Sequence, residues 1–332
     1  MENGVMEVLS GDNVCGVHTR EYHYLFRKSD GFSLRWGKTI DENPFWAPVP
    51  ELADISISNR CSNCCSFCYR DSQPDGPLMS LDDYEFVMKH LPATFQLALG
   101  GGEPTEHPNF IDFLRISRKY GKVPNYTTNG MNLTPEIIES SKHYCGAVAV
   151  SWSDYAVSAV RQLVDAGVKT NIHFIMTPDS IKEGIDLLRR KELFGKTGVN
   201  AIVFLMHKAV GRGSPMDTPT PEQTRSLITE AFASEVRAAF DVCSAPHIAA
   251  SERDGGAKVD WNLLDFCDGS RFTVYISEGL DVSPCSFMTG GRFTENLREK
   301  SMREIWSGDK FNEFRCLLKK EPFTCHAISI DE

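Results

Sequence analysis

The sequence predicts an α/β fold: six successive strand–helix units over residues 51–240, a small β region over residues 1–50, and a third region of different character over residues 241–332. Two observations carry this prediction. Short runs rich in β-branched and apolar residues alternate six times with stretches whose apolar residues recur at helical spacing, the pattern of parallel strands joined by crossover helices. Cysteines, represented only by Cys145 between residues 69 and 242, return at positions 243, 267, 285, 316 and 325 once that alternation has ended.

Each element has a local reason. In the first fifty residues Tyr22, Tyr24, Phe26, Phe32, Leu34 and Trp36 alternate with polar neighbours around a turn at Ser29, Asp30 and Gly31, which reads as a β-hairpin or small sheet, a packing element in preference to a grip on substrate. Strands follow over residues 54–58, 95–99, 126–128, 147–151, 168–176 and 201–206. Ser80 caps a helix whose Tyr84, Val87, Met88 and Leu91 share one face, Asn109 opens a second that Gly121 closes, and Thr134 with Pro135 starts a third. Helices over 154–166 and 180–190 come next, and the capping box from Thr220 to Gln223 opens a sixth helix expected to run toward Phe240. Beyond it, residues 271–276 and 280–283 show the pattern of a hairpin turning at Glu278 and Gly279, and a helix carries Ile305 and Trp306. Periodicity alone does not separate a barrel from an open doubly wound sheet.

The 332 residues are 41% hydrophobic, enough for a sizeable core, and carry a net charge of −10. That charge argues against non-specific nucleic-acid or anionic-membrane binding. The start of the chain lacks a signal peptide's basic and apolar segments, and no run reaches the ~18 apolar residues of a membrane span. A cytoplasmic protein is expected, in which eleven cysteines point to metal rather than to disulfides.

Cys61, Cys65 and Cys68 stand in the spacing Cys-x3-Cys-x2-Cys. Three thiolates so close can bind three irons of a 4Fe–4S cube and leave the fourth iron open to a ligand, whereas zinc loops usually pair their cysteines differently. Cys64 falls outside this spacing and is read as a bystander, and Cys15 and Cys145 as small buried hydrophobes. Polar residues interrupt the carboxyl ends of the strands, where parallel α/β folds place their chemistry. These are Gly100 to Thr105 after the second strand, Thr127 to Gly130 after the third, Ser151 to Asp154 after the fourth, Asn171 and His173 on one side of the fifth, and His207 to Gly213 after the sixth.

The triplet with Phe67 before its last cysteine, followed by Gly101-Gly102-Glu103-Pro104, resembles the signature of the radical S-adenosylmethionine (radical SAM) enzymes. The resemblance covers residues 55 to about 215 and implies a partial (β/α)6 TIM-like barrel that binds a [4Fe-4S] cluster and SAM. It implies cofactor contacts by Phe67 at the adenine, by Gly101, Gly102, Glu103 and Pro104 at the methionine ammonium, and by Thr128, Asn129 and Ser151 at the ribose hydroxyls and methionine carboxylate; Asn171 and His173, pointing the same way from the fifth strand, are further candidate contacts, a lone strand histidine being more often a satisfied core residue. The loop through Gly211 and Arg212 is similar to one that edges the adenine in the branch with extra clusters. Residues 243 to 326 resemble SPASM and shorter twitch domains, which implies an auxiliary [4Fe-4S] cluster. Cys267, Cys285 and Cys325 are its expected ligands, with the fourth from Cys243, Cys316, His326 or the substrate, and Cys243 favoured. If it is not a ligand, Cys243 is the candidate catalytic hydrogen donor.

The family mechanism implies reductive cleavage of SAM to a 5′-deoxyadenosyl radical, with the electron supplied by a flavodoxin- or ferredoxin-type partner. A peptide or protein substrate is expected, in a lateral opening flanked by the amino-terminal aromatic hairpin and the carboxyl-terminal appendage. The competing readings are a dehydrogenase of a small alcohol or aminocyclitol and a non-catalytic iron–sulfur protein.

Overall fold

The computed structural model describes residues 6–190, 193, 198–256, 258–261 and 264–327. The amino-terminal region is a four-stranded antiparallel sheet, β1 (Glu7–Ser10), β2 (Val14–His18), β3 (His23–Arg27) and β4 (Ser33–Trp36), paired in sequence order. Six parallel strands follow: β5 (Leu52–Ser58), β6 (Gln96–Gly101), β7 (Val123–Thr128), β8 (Val148–Ser151), β9 (Thr170–Met176) and β10 (Ala201–Met206). Helices α1 (Leu81–His90), α2 (Phe110–Lys119), α3 (Pro135–Tyr144), α4 (Ala156–Asp165) and α5 (Ile181–Leu188) join them, and α6 (Pro221–Ala233) follows β10.

The capping residues act as their chemistry dictates. Ser80 and Thr134 accept from the backbone N–H groups of Asp83 and Ile137, and Thr220 and Gln223 form a reciprocal capping box. Asn109 precedes α2 without a side-chain capping bond. Outward-facing Ile55, Ile57, Leu97, Leu99, Val148, Val150, Ile172, Phe174, Ile202 and Phe204 pack under the helices as one core, while alternate residues face the barrel lumen.

Two elements depart from expectation. Helix α6 stops at Ala233, and residues reaching Phe240 instead form a short parallel strand, β11 (Ala238–Phe240), beside β10. The free edge of β10 offers that segment a ladder of hydrogen bonds that a longer helix would forgo. After α7 (Ala245–Arg253), β12 (Thr273–Ile276) does not stand apart: it pairs in parallel with β5, Tyr275 beside Asp54, and β13 (Asp281–Ser283) and β14 (Glu295–Asn296) extend the same sheet to ten strands. Helices α8 (Met302–Ser307) and α9 (Asp309–Lys320) finish the described chain, and buried Trp306 donates its indole N–H to Ala47 O at 2.8 Å.

The amino-terminal sheet does not flank the ligand end. Its Cys15, Val17, Tyr24 and Phe26 pack on Ala93, Phe95, Val123 and Phe272, which precede or open β6, β7 and β12. Gln96 donates to the Tyr24 hydroxyl at 2.9 Å, and Arg35 and Tyr22 both engage Glu51 just before β5. The sheet therefore closes the floor of the barrel, because its aromatic face finds apolar cover there. Among the described residues no helix is long and apolar enough to cross a membrane.

Candidate active site

The cysteine loop leaves β5 at the end opposite that floor, and its backbone is fixed on three sides. Cys61 N–H donates to Gln73 O at 3.0 Å, Gly102 N–H to Ser58 O at 2.6 Å, and Glu103 N–H to Arg60 O at 2.8 Å. Arg212 closes the third side: its N–H donates to Cys68 O at 2.9 Å, its Nε to Cys65 O at 2.9 Å, and its Nη1 to Asp71 at 2.7 Å. Gly211 (φ 64°) is required there, since a Cβ would sit 2.4 Å from Tyr69 O. The backbone of this loop is the part expected beside the adenine; its Arg212 side chain clamps the cysteine loop.

Cys61, Cys65 and Cys68 are each half-buried, while Cys64, at φ 46°, is exposed with its thiol near Cys61 O. Burial pushes the Cys61 and Cys65 thiols up, and neighbouring thiols push further, Cys65 on Cys61 and Cys68 on Cys65, so the three share one electrostatic neighbourhood. Among the described residues no three His, Cys, Asp or Glu side chains surround a single-ion site. A four-iron cube asks for a different geometry, because each thiolate binds its own iron across a wide face. A half-exposed, mutually coupled triplet on a fixed backbone fits that demand.

The glycine motif serves the same loop. A Cβ on Gly101 (φ 111°) would meet Ser58 O at 2.0 Å, and one on Gly102 would meet Arg60 O at 2.1 Å, whereas Gly100 faces open space. Glu103 is buried and its carboxylate accepts from Thr105 N–H and hydroxyl, from the Thr128 hydroxyl and from Asn129 N–H, at 2.7 to 3.1 Å. Burial still raises its pKa against the pull of those donors. The carboxylate thus ties the end of β6 to the end of β7. Buried Pro104 opens the turn that brings Glu106 to the Ser62 N–H and hydroxyl.

Asn129 and Ser153 carry buried polar atoms, Nδ2 and Oγ, with no partner among the described residues, which suits them to polar atoms of a ligand. Ser151 ends β8 half-buried, and Phe67 is half-buried in the cysteine loop. His173 points into the lumen 3.4 Å from the Thr127 hydroxyl, and burial lowers its pKa to about 4, so it is neutral at physiological pH. Asn171 does not join this group. It lies near the amino end of β9, accepting from Asn200 at 2.7 Å, and Asn200 in turn accepts from Arg237.

Below and beside the loop the lumen holds residues that the sequence did not single out. Arg70 pairs with Glu278 at 2.8 Å, and the same carboxylate oxygen accepts from the Ser56 hydroxyl at 2.7 Å. Burial lifts the Asp54 carboxyl to about 6 against Arg70 and a Ser286 hydrogen bond. The rings of Tyr69 and Phe287 lie 4.8 Å apart. This network joins residues adjacent to Cys68 with residues adjacent to Cys285. Only the run of polar residues facing inward on β5 hinted at it in the sequence.

A second thiol group gathers at the far end of β10 and β11. Burial raises the pKa of Cys243 and Cys285 strongly and that of Cys267 to about 11; Cys325 acts on all three, and Lys208 opposes the rise in each. Cys243, Cys267, Cys285 and Cys325 are thus close neighbours around one buried cation, a donor set that fits an anionic iron–sulfur cluster. Cys316 is exposed on α9 and outside the group; His326 is buried with its Nε2 unpartnered and its ring 6.0 Å from that of Phe314. Cys15 is a buried thiol that donates to Phe26 O, whereas Cys145, expected to be buried, is only half-buried, and desolvation of its thiol pushes it up to about 12.

Residues 55–207 match the family model of the radical SAM superfamily, and residues 267–327 match that of the SPASM iron–sulfur cluster-binding domain. The chain thus carries a radical SAM domain and a SPASM domain, and it is an enzyme that uses a [4Fe-4S] cluster and SAM. It is 23% identical over 307 residues to the tungsten-containing aldehyde ferredoxin oxidoreductase cofactor-modifying protein of Pyrococcus furiosus, covering 80% of this chain and 83% of that one. A 98-residue stretch is 29% identical to the PqqA peptide cyclase of Ruegeria pomeroyi, 28% of this chain and 26% of that one. The fold is similar to that of Streptococcus suis SuiB bound to its precursor peptide SuiA, with TM-score 0.77, 14% identity, and coverage of 98% and 97% of the two chains. When bound, the cluster and SAM supply a primary carbon radical. The protein's own residues fix the loop through Arg212 and Glu103, leave buried polar atoms of Asn129 and Ser153 without a partner among the described residues, and line the lumen with neutral His173.

Proposed function

We propose that this enzyme abstracts hydrogen from a peptide or protein substrate with the 5′-deoxyadenosyl radical obtained by reductive cleavage of SAM, leading to a crosslink, an oxidation or an epimerisation. The observation that carries the reading is the likeness over nearly the whole chain to an enzyme bound to its precursor peptide, joined by the local match to a peptide cyclase. In this reading Cys61, Cys65 and Cys68 hold the SAM-binding cluster, and Cys243, Cys267, Cys285 and Cys325 hold an auxiliary one. Cys243 is then a ligand rather than a hydrogen donor, in keeping with its place among the other three thiols. Phe67, Gly101, Gly102, Pro104, Asn129, Ser151 and His173 line the SAM site, with Glu103 and Thr128 holding its backbone. A flavodoxin- or ferredoxin-type protein supplies the electron in a cytoplasmic setting.

The test uses the anaerobically reconstituted enzyme with peptides encoded beside its gene, in deuterated water. Peptide-stimulated SAM cleavage with loss of two hydrogens from the peptide identifies a crosslink or oxidation, and gain of deuterium identifies epimerisation. Stimulation and oxidation of a sugar or amino alcohol, with peptides inert, would replace this reading with that of a small-molecule dehydrogenase.

A further inference from the structure

We propose that Lys208 is a built-in counter-charge for the iron–sulfur cluster held by Cys243, Cys267, Cys285 and Cys325, and that it raises the reduction potential of that cluster. The proposal rests on the reading of those four thiols as ligands.

Topology brings the lysine to the thiols. Strands β10 and β11 run parallel with Phe204 beside Phe240, so Lys208, two residues beyond β10, and Cys243, three beyond β11, leave the sheet side by side. Lys208 is only 7% exposed. A buried ammonium needs an anionic or hydrogen-bonding partner, since desolvation otherwise costs several kcal/mol. Asp241 acts on the lysine but is shared: it also accepts from the Ser244 hydroxyl at 2.5 Å and from Met206 N–H at 3.3 Å. The lysine also hydrogen-bonds the Cys325 thiol and acts on Cys243, and burial with the nearby ammonium keeps His247 neutral, its pKa lowered to about 4. Lys208 is therefore a buried cation that acts on all four thiols.

Four thiolates outweigh the positive charge of a four-iron core, so the loaded site is an anion, and one-electron reduction makes it more negative. A fixed ammonium in a low-dielectric pocket stabilises the reduced state more than the oxidised one, as charges and hydrogen bonds near cluster sulfurs do generally. No atom is transferred; the electron comes from the external one-electron reductant, and Lys208 shifts only the equilibrium. It is a positioning residue, acting through the cluster.

The test isolates the second site by replacing Cys61, Cys65 and Cys68 with Ala, so that all bound iron reports on the carboxyl-terminal thiols. This parent should take up ~4 irons per chain, and its midpoint is read by dithionite titration followed by electron paramagnetic resonance. Lys208→Met should lower the midpoint so that the ratio of reduced to oxidised cluster, at the parent's midpoint, falls at least tenfold, about 59 mV for one electron. Lys208→Arg, which keeps the charge, should stay within about twofold of the parent, or roughly 20 mV by the same relation. A Met midpoint equal to the parent's, or equal shifts in Met and Arg, overturns the assignment while leaving the cluster in place. If Lys208→Met melts like the parent but loads no iron while Lys208→Arg loads fully, the counter-charge is needed for assembly and the proposal stands; loss of iron from both overturns it. A parent that binds no iron removes the ligand reading itself.

Discussion

Glu103 shows how much one side chain can decide. The Gly-Gly-Glu-Pro run was legible in the sequence and marked the right strand end, yet the direction of its carboxylate was not. With Gly101 at φ 111° the chain turns so that Glu103 points into the protein, where four donors from Thr105, Thr128 and Asn129 meet it. Sequence reports residue type but not the backbone angle that aims it. Glu103→Gln replaces an acceptor with a donor facing those N–H and O–H groups, and an unsatisfied buried polar group costs about 1–3 kcal/mol. The expected outcome is an unfolding free energy lower by that amount, read from urea denaturation, and weaker SAM binding. Unchanged stability with weaker SAM binding would instead mean that the carboxylate contacts SAM directly. Arg212 was hidden for a related reason: its loop could be read, but its three partners lie about 140 residues away in sequence.

At the scale of elements, the six strands and their helices were legible because caps and periodicity are local signals. The residues after Ala233 were misread as helix because their apolar spacing fits either state, and the free edge of β10 decides between them. The fate of the amino-terminal sheet was equally illegible, since its aromatic face would suit a substrate as well as a barrel floor. Lys122 belongs to that floor: almost fully buried, it donates to Leu91 O and to Thr94 O, the latter at 2.7 Å, and burial lowers its pKa to about 8. Below about pH 8 the lysine is protonated in both folded and unfolded chains, and the folded one bears the desolvation cost. Between there and its ordinary value of 10.5 the unfolded chain holds the proton more tightly, so stability rises with pH. Lys122→Met should lack this rise, measured as the wild-type minus variant unfolding free energy from pH 7 to 10.5. A difference that falls over this range would contradict the buried-lysine account.

For the whole molecule, the sequence located both thiol groups but not how one sheet connects them. β12 joins β5 across more than two hundred residues, a long-range pairing without any local signature, and Arg70 with Glu278 links the cysteine loop to the hairpin that precedes Cys285. The cysteine triplet and the glycine motif thus belong to one rigid end of the sheet, and that end is where the chemistry of a radical SAM enzyme is expected. The most direct measurement is release of 5′-deoxyadenosine from SAM by the anaerobically reconstituted, reduced protein, compared with a variant in which Cys61, Cys65 and Cys68 are all Ala. The account predicts cleavage by the wild type and none by the variant; cleavage by the variant at the wild-type rate would contradict it.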